Sequence, residues 1–219
     1  MLHQEEIPAL LIGHGLPNYN QITPNEVTKH IPLLIKDLYQ ELNLLENSLK
    51  QNLDKEKALT WDEVMKPLHQ IGEKLRWSWG VISHLNGVCN SSKLREAYAL
   101  QQPEIVRFGN KIGQSKIIYK SLLNLKDKQL RHLNETQLRI IDTELLSMRH
   151  RGVGLNGVKK EMFNERSERL AELSNSFSNN VLDATKEWSL LLTKPSDVEG
   201  LPPRVLRNLA ISAQESNVH

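Results

Sequence analysis

The chain has 219 residues, of which 39% are hydrophobic and 25% are charged, a composition typical of a globular protein. Its 28 lysines and arginines nearly balance 26 aspartates and glutamates, which argues against a dedicated nucleic-acid binder with a concentrated basic surface. The apolar segment 7–12 is too short to span a membrane, and Glu5 and Glu6 stand where a secretion signal would carry positive charge. The single cysteine, Cys89, allows no intrachain disulfide and fits a reducing compartment such as the cytoplasm.

The first regular element follows a segment, residues 1–22, that Gly13, Gly15 and Pro17 punctuate and that we expect to be a loop packed on the body. Thr23, with proline next and Glu26 three residues on, predicts a helix start closed by a capping box. The apolar stripe of this first helix is Ile31, Ile35, Leu38, Leu42, Leu45 and Leu49.

Four more long helices are indicated by capping residues followed by apolar stripes. Thr60 opens the second in a capping box with Glu63, and Asn134 with Gln137 three residues on opens a fourth. Between them, the run 90–92 opens a third helix that Pro103 kinks or restarts before Leu122. Asn156 caps a fifth helix that Pro195 stops. The stripe of that fifth helix is Val158, Met162, Leu170, Leu173, Phe177, Val181, Ala184, Trp188 and Leu191.

The pattern as a whole predicts an all-α fold, a bundle of long antiparallel helices without significant sheet, because connections are short and no segment alternates like a strand. We expect a loop segment at 1–22 and a helical bundle domain at 23–194. Residues 195–219 would then be a linker and short helical tail leading toward a catalytic domain that this chain does not contain.

Catalytic, cofactor-binding and metal-binding residues are all predicted to be absent. A helical zinc hydrolase needs two histidines four residues apart, with glutamate after the first. None of the eight histidines meets either condition: His3, His14, His30, His69, His84, His132, His150 and His219. Cys89 lies five residues after His84, about 500° around a helix, so their side chains diverge and we favour a small packed cysteine over a nucleophile.

Other polar patterns favour structural roles. Residues 13–15 and 152–154 are expected to be turns rather than phosphate loops, and the basic run 149–151 to complement a helix dipole, with an anion or peptide-carboxylate contact as the alternative. A solvated helix face is expected at Glu161, Glu165, Glu168 and Glu172. Core or helix-start positions are expected for Trp61, Trp77, Trp79 and Trp188, although Trp77 lies off its helix stripe and could instead line a binding surface.

Three stretches carry a family resemblance: Trp61 to Leu68, Ser83 to Tyr98, and above all Leu170 to Thr185, which reads LAELSNSFSNNVLDAT. Together they resemble the N-terminal region of the thimet-oligopeptidase-like zinc metallopeptidases of the oligopeptidase A type. The resemblance covers residues from about Asn20 to Leu209, in the family's order and spacing.

The resemblance implies a cytoplasmic enzyme that hydrolyses internal bonds of short peptides, with zinc held by an H-E-x-x-H helix and a later glutamate. No residue here matches that motif, so the resemblance carries over no zinc ligand. It implies the substrate-channel domain of such an enzyme, inactive alone, whose partners are short peptides and the absent catalytic domain. The alternative is a self-standing helical interaction module, without activity, that dimerises or binds a partner through an exposed apolar face.

Overall fold

The computed structural model describes residues 7–215, which contain seven α-helices and no strand, so the predicted all-α class is confirmed. The helices are α1 (Pro24–Asp54), α2 (Trp61–Val88), α3 (Ser92–Gly113), α4 (Lys116–Gln129), α5 (Glu135–His150), α6 (Gly157–Glu187) and α7 (Pro203–Glu215). Among these described residues, no helix is long and apolar enough to cross a bilayer. The predictions made for Glu5, Glu6, His3 and His219 lie outside the described range.

Helix α1 begins as predicted, but its capping box forms only in part. Thr23 Oγ1 accepts a hydrogen bond of 3.3 Å from the backbone N–H of Glu26. The Glu26 carboxylate lies 3.0 Å from His30 Nε2, one turn further along, rather than against the Thr23 N–H that a capping box requires. Glu26 therefore stabilises the first turn through a side-chain pair.

Helices α2 and α5 begin with the predicted capping boxes. The Thr60 N–H donates to Glu63 Oε2 at 2.9 Å, and Lys57 Nζ lies 2.5 Å from the other carboxylate oxygen. The Lys57 hydrogen bond is the main reason that the pKa of Glu63 lies below its usual value. The backbone N–H groups of Asn134 and Gln137 each donate to the other's side chain, at 3.0 and 2.9 Å.

The third predicted helix is wrong in one respect, since two helices occupy its span. Helix α3 continues through Pro103, and the chain breaks at Gln114 before α4 begins. Ser115 caps α4 by accepting a hydrogen bond of 3.2 Å from the Ile118 N–H. The break was missed because the apolar period continues across it to Leu122, which hides the start signal of a single serine.

One hydrophobic core fills the first compact unit, which ends at Ser176. Helix α1 packs against α2, α3 and α4 and contributes most of its predicted stripe, although Leu45 is only partly buried. Phe108 of α3 is fully buried, with its ring 5.0 Å from that of Tyr39 in an edge-to-face arrangement. Before α1, two short 3-10 turns form, and buried Leu10 accepts a hydrogen bond of 2.8 Å from Ser78 Oγ at its carbonyl.

The second compact unit begins at Phe177, within α6. Helix α6 ends at Glu187 rather than at Pro195, so Trp188 and Leu191 lie beyond the helix to which their spacing assigned them. No proline or glycine stands between 187 and 195 to signal this end in the sequence. A 3-10 turn at Pro195–Val198 and helix α7 follow.

Candidate functional site

Helix α6 is attached to the rest of the first unit through polar contacts. Gln114 Nε2 donates to Asn164 Oδ1 at 2.8 Å, and Gln102 Nε2 donates to the backbone carbonyl of Ala171 at 3.2 Å. None of the 31 residues of α6 is buried. The helix is therefore held by hydrogen bonds rather than by apolar side chains inserted into the core.

A charge cluster provides the strongest of these polar contacts. Arg107 of α3 donates from Nε and Nη2 to the two carboxylate oxygens of Glu168, at 3.1 and 2.9 Å, and from Nη1 to Glu104 at 2.5 Å. The hydrogen bonds to Glu168 and Glu104 raise the pKa of Arg107, which stays charged. Burial raises the pKa of nearby Tyr39, and the Glu104 carboxylate raises it further. A bidentate pair of this kind fixes orientation as well as distance.

The predicted solvated glutamate face of α6 is wrong for Glu168, whose side chain is only 29% exposed because it binds Arg107. The other members of that face, Glu161, Glu165 and Glu172, are exposed as predicted. Glu172 pairs within the helix, 2.6 Å from Arg169. The spacing of these glutamates in the sequence places them on one helix face but does not show which of them contacts a neighbouring helix.

The apolar stripe of α6 is exposed, contrary to the expected bundle packing. Its large side chains are exposed: Val158, Met162, Leu170, Leu173, Phe177 and Val181. Phe177 is 70% exposed and Leu170 66%. At about 100° per residue, Leu170 and Leu173 lie roughly opposite Asn164 and Glu168 on the helix. Hydrophobic spacing predicts which residues share a face but does not determine which face turns inward.

The apolar residues that follow α6 are exposed as well. Trp188, expected at a core or helix-start position, is 71% exposed, so that prediction is wrong, and Leu190 is 66% exposed. Within this second unit, a cavity of about 340 Å³ is lined mainly by Leu190, Leu191, Leu192, Val198, Leu206 and Leu209. No residue between Phe177 and Glu215 is buried. The described part of this unit has no hydrophobic core of its own.

A groove of about 880 Å³ lies between α1 and α2. Trp61 begins α2 there, as a helix-start residue, and its ring meets that of His69 edge to face with centroids 6.4 Å apart. Lys74 Nζ lies 2.5 Å from Glu41, and Leu44 is 70% exposed at the groove. The groove combines an apolar floor with mixed charges and offers no convergent set of polar groups for one ligand.

Trp77 lines a smaller cavity of about 350 Å³, together with Tyr19, Arg76 and His84. The residue is half-buried, and within the described range its buried Nε1 has no hydrogen-bond partner. Trp79, by contrast, stacks on Tyr98 with ring centroids 4.4 Å apart, in agreement with a packed role. Trp77 is therefore half-buried and also lines a surface cavity, so the structure agrees in part with a packed role and in part with a place on a binding surface.

The remaining sequence candidates do not assemble a reactive site. Cys89 is exposed at the end of α2, so the prediction of a packed cysteine is wrong, and His84 instead contacts the ring of Tyr19 at 5.6 Å. Gly152 has φ of +83°, which confirms a turn after α5. Arg149 and its neighbour lie in the last turn of α5, as a dipole-complementing role requires. Among residues 7–215, no group of three or more potential ligand side chains is placed to hold a metal ion.

Comparison with known proteins gives consistent matches. The family model "Neurolysin/Thimet oligopeptidase, N-terminal domain" matches residues 31–160. The chain is 34% identical over 210 residues to Oligopeptidase A of Haemophilus influenzae, covering 95% of this chain and 30% of that protein. It is 33% identical over 202 residues to Oligopeptidase A of Escherichia coli, covering 90% of this chain and 28% of that protein. It is 33% identical over 205 residues to the "Probable cytosolic oligopeptidase A" of Arabidopsis thaliana, covering 93% of this chain and 28% of that protein.

The seven helices, the single core of the first unit and the matched segment define the class: an all-helical N-terminal domain of a peptidase family. The chain belongs to the neurolysin/thimet oligopeptidase family. It spans less than a third of the length of the curated relatives that it matches.

Proposed function

We propose that this chain is the substrate-channel domain of an oligopeptidase A-type zinc metallopeptidase, and that the complete enzyme hydrolyses internal bonds of short peptides. The observation that carries the proposal is the extent of the match. About a third of residues are identical along 90–95% of the chain, within relatives named oligopeptidases. The catalytic zinc domain would then be supplied by sequence outside these 219 residues.

The described residues do not fit a zinc centre. Zinc in a peptidase requires three protein ligands converging on one point, and residues 7–215 contain no such group. His84 and Tyr19 form a ring contact, and His30 lies against Glu26, so these imidazoles have structural neighbours. The role proposed for this chain is therefore to bind and admit the substrate, and no bond-breaking step is assigned to its residues.

Long helices suit a channel wall. At 1.5 Å per residue, α1 and α6 are each about 46 Å long, comparable to the diameter of a domain. Buried residues anchor α1 along its length, so one side of the wall is rigid. A wall of this kind beside a buried catalytic centre admits an extended peptide and excludes a folded protein by size. A cytoplasmic location is part of the proposal and agrees with the name of one plant relative.

The alternative function, a self-standing interaction or dimerisation module, is favoured by the exposed apolar stripe of α6. Isolated soluble domains rarely expose a contiguous apolar surface that includes side chains as large as Phe177 and Leu170. Sedimentation equilibrium of the 219-residue chain measures this directly. A concentration-dependent dimer abolished by Phe177→Glu would favour the module, and a monomer would favour the domain of a larger enzyme.

A chimera tests the proposed function. Residues 1–219 of this chain would replace the matching stretch of Escherichia coli Oligopeptidase A, and hydrolysis of a quenched fluorescent peptide would be measured with the natural Escherichia coli protein as control. We expect the chimera to cleave the free peptide and to leave the same sequence intact when it is displayed within a folded protein. A zinc-loaded, folded chimera that cleaves no peptide, or that cleaves both substrates equally, would contradict the proposal.

A further inference from the structure

Helices α2 and α5 both line a cleft of about 750 Å³ within the first compact unit. Its floor is apolar and consists of Leu68, Met148, Ile112 and Ile118. Ile118 and Met148 are buried, so the floor is part of the hydrophobic core. A cavity of this volume with an apolar lining is typical of a site for a small molecule.

The rim of the cleft carries charges of both signs. Helix α2 contributes Glu73 and Arg76, which bind each other one turn apart. Helix α5 contributes the half-buried Glu144, and Arg151 follows at the end of that helix. Within residues 7–215, the side chains of Glu144 and Arg151 form no hydrogen bond or ion pair. In the described part of the chain, the cleft therefore presents one carboxylate and one guanidinium that are not neutralised by a neighbour.

Two glycines leave room at the cleft. The aliphatic part of Arg151 lies so close to Gly113 that a Cβ atom on the glycine would come within 2.4 Å of Arg151 Cδ. A Cβ atom on Gly72, which lines the cleft from α2, would meet no atom within 4 Å. Arg151 is also the member of the basic run 149–151 that lines the cleft. The peptide-carboxylate contact considered for that run would therefore fall here.

The spacing of Glu144 and Arg151 fits a short peptide with free ends. The two residues are seven positions apart, nearly two helical turns, so they share one side of α5 and lie about 10.5 Å apart along its axis. Ser147 and Met148, between them, line the cleft as well. Three extended residues span at most about 10–11 Å. A peptide of two or three residues can therefore place its ammonium group at the carboxylate and its carboxylate at the guanidinium.

We infer that this cleft binds dipeptides and tripeptides whose two ends are free, with the amino terminus at Glu144, the carboxylate at Arg151 and an apolar side chain on the floor. A simple anion such as phosphate fits less well, because the carboxylates of Glu144 and Glu73 on the same rim repel it. Cleavage of short peptides releases ligands of this size, so a role as a product site rests on the proposed function, whereas the binding itself does not.

Calorimetric titration of the 219-residue chain with the tripeptide Ala-Leu-Ala tests the inference. The same tripeptide with an acetylated amino terminus, and again with an amidated carboxyl terminus, provides matched ligands that differ by one charge each. We expect saturable binding of the free tripeptide at millimolar concentration or below. Blocking either end should weaken binding at least about tenfold, because each block removes a charge-assisted hydrogen bond.

Two variants assign the ends of the ligand. Glu144→Gln should weaken binding of the free tripeptide at least about tenfold and leave the acetylated form unchanged, because that form has no ammonium group to lose. Arg151→Gln should weaken the free tripeptide in the same way and leave the amidated form unchanged. Arg149→Gln is the matched control, since Arg149 is an exposed member of the same basic run that does not line the cleft. It should change none of these affinities.

Three results would overturn the inference. The first is an absence of saturable binding of Ala-Leu-Ala at millimolar concentration. The second is equal affinity for the free and the blocked peptides. The third is inorganic phosphate that displaces the tripeptide with comparable affinity, which would make the cleft a simple anion site. The blocked peptides probe the unaltered chain, so this part of the test does not depend on the folding of any variant.

Tripeptide binding and peptide hydrolysis by the chimera fail independently. A chimera that cleaves peptide, alongside a chain that binds no tripeptide, would keep the channel function and contradict the cleft. A chain that binds the tripeptide, alongside a folded, zinc-loaded chimera that cleaves nothing, would keep the cleft and contradict the channel function.

Discussion

Gly113, the last residue of α3, is in close contact with the side chain of Arg151 after α5. A Cβ atom at this position would lie 2.4 Å from Arg151 Cδ and 2.9 Å from its Cβ, distances that require Arg151 to shift. A Cβ atom at Gly109, one turn earlier in α3, would meet no neighbouring atom within 4 Å. The two glycines therefore form a natural pair for separating steric contact from helix propensity.

We predict that Gly113→Ala lowers the free energy of unfolding by about 1–3 kcal/mol, the usual cost of overpacking. Gly109→Ala should instead raise it by up to about 1 kcal/mol, because alanine is the better helix former. Urea unfolding of both variants measures the difference. Equal stabilisation by both would show that Arg151 moves away from Gly113 without cost.

Glu63 makes the stability of the α2 N-terminus depend on pH. Lys57 holds the pKa of this carboxyl below its usual 4.5. A depressed folded-state pKa contributes stability that is present above the unfolded value and is lost as the pH falls through the folded value. The Glu63→Gln variant keeps an acceptor for the Thr60 N–H but loses the charge that Lys57 binds.

We therefore expect Glu63→Gln to lower the melting temperature at neutral pH and to match the wild type below the folded-state pKa. Thermal melts monitored by circular dichroism from neutral pH to about pH 3 measure this convergence. Glu73→Gln is the control, because Glu73 forms an exposed ion pair with Arg76, and such pairs contribute little. A difference from the wild type that persists unchanged at acid pH would contradict the assignment.

Element by element, α6 differs from α1 to α5 in what holds it. Those five helices each bury apolar residues, whereas α6 buries none and depends on Arg107, Gln102 and Gln114. A helix held mainly by exposed hydrogen bonds opens at lower free energy than one held by a core. We therefore expect its stability to respond to single polar substitutions.

Glu168→Gln should reduce amide hydrogen-exchange protection across residues 157–176, because the bidentate, charge-assisted pair with Arg107 is lost. Glu172→Gln is the matched control, since Glu172 pairs only one turn away, with Arg169 of the same helix. It should leave protection nearly unchanged. If the two variants reduce protection equally, Arg107 does not contribute specifically to holding α6.

The helices were predictable where capping chemistry and burial agree. Thr60 with Glu63, and Asn134 with Gln137, are local signals that act within one turn, and both formed as expected. The α3–α4 break was not predicted, because Ser115 interrupts a helix whose apolar period continues. The end of α6 at Glu187 was missed for a related reason, since no helix-breaking residue marks it.

The orientation of α6 could not be predicted from apolar spacing alone. Its inward face consists of small and amide side chains at helical spacing, including Asn164, Ala171 and Asn175, none of which is exposed. Such a face gives a weak signal beside Leu170 and Phe177, which dominate any hydrophobic pattern. The missed contact of Glu168 depends on Arg107, a residue 61 positions away that spacing within one helix cannot indicate.

At the scale of the whole molecule, the hydrophobic core lies in the same part of the chain as the match to the family's N-terminal domain. Buried hydrophobic residues run from Leu10 to Val153, and the N-terminal domain model matches residues 31–160. Beyond this part, the described residues supply exposed apolar side chains without a core. A stable domain needs packed layers around a core, and the described residues of the later segment form none. This division supports the proposal that the chain works as one part of a larger peptidase.

The most direct test of that proposal is peptide hydrolysis by the purified 219-residue chain, with and without added zinc. A quenched fluorescent peptide is the substrate, and the Escherichia coli chimera in the same assay is the positive control. We predict no hydrolysis above the buffer rate by the isolated chain in either condition, and clear hydrolysis by the chimera. Zinc-dependent cleavage by the isolated chain, abolished by a chelator, would contradict the account.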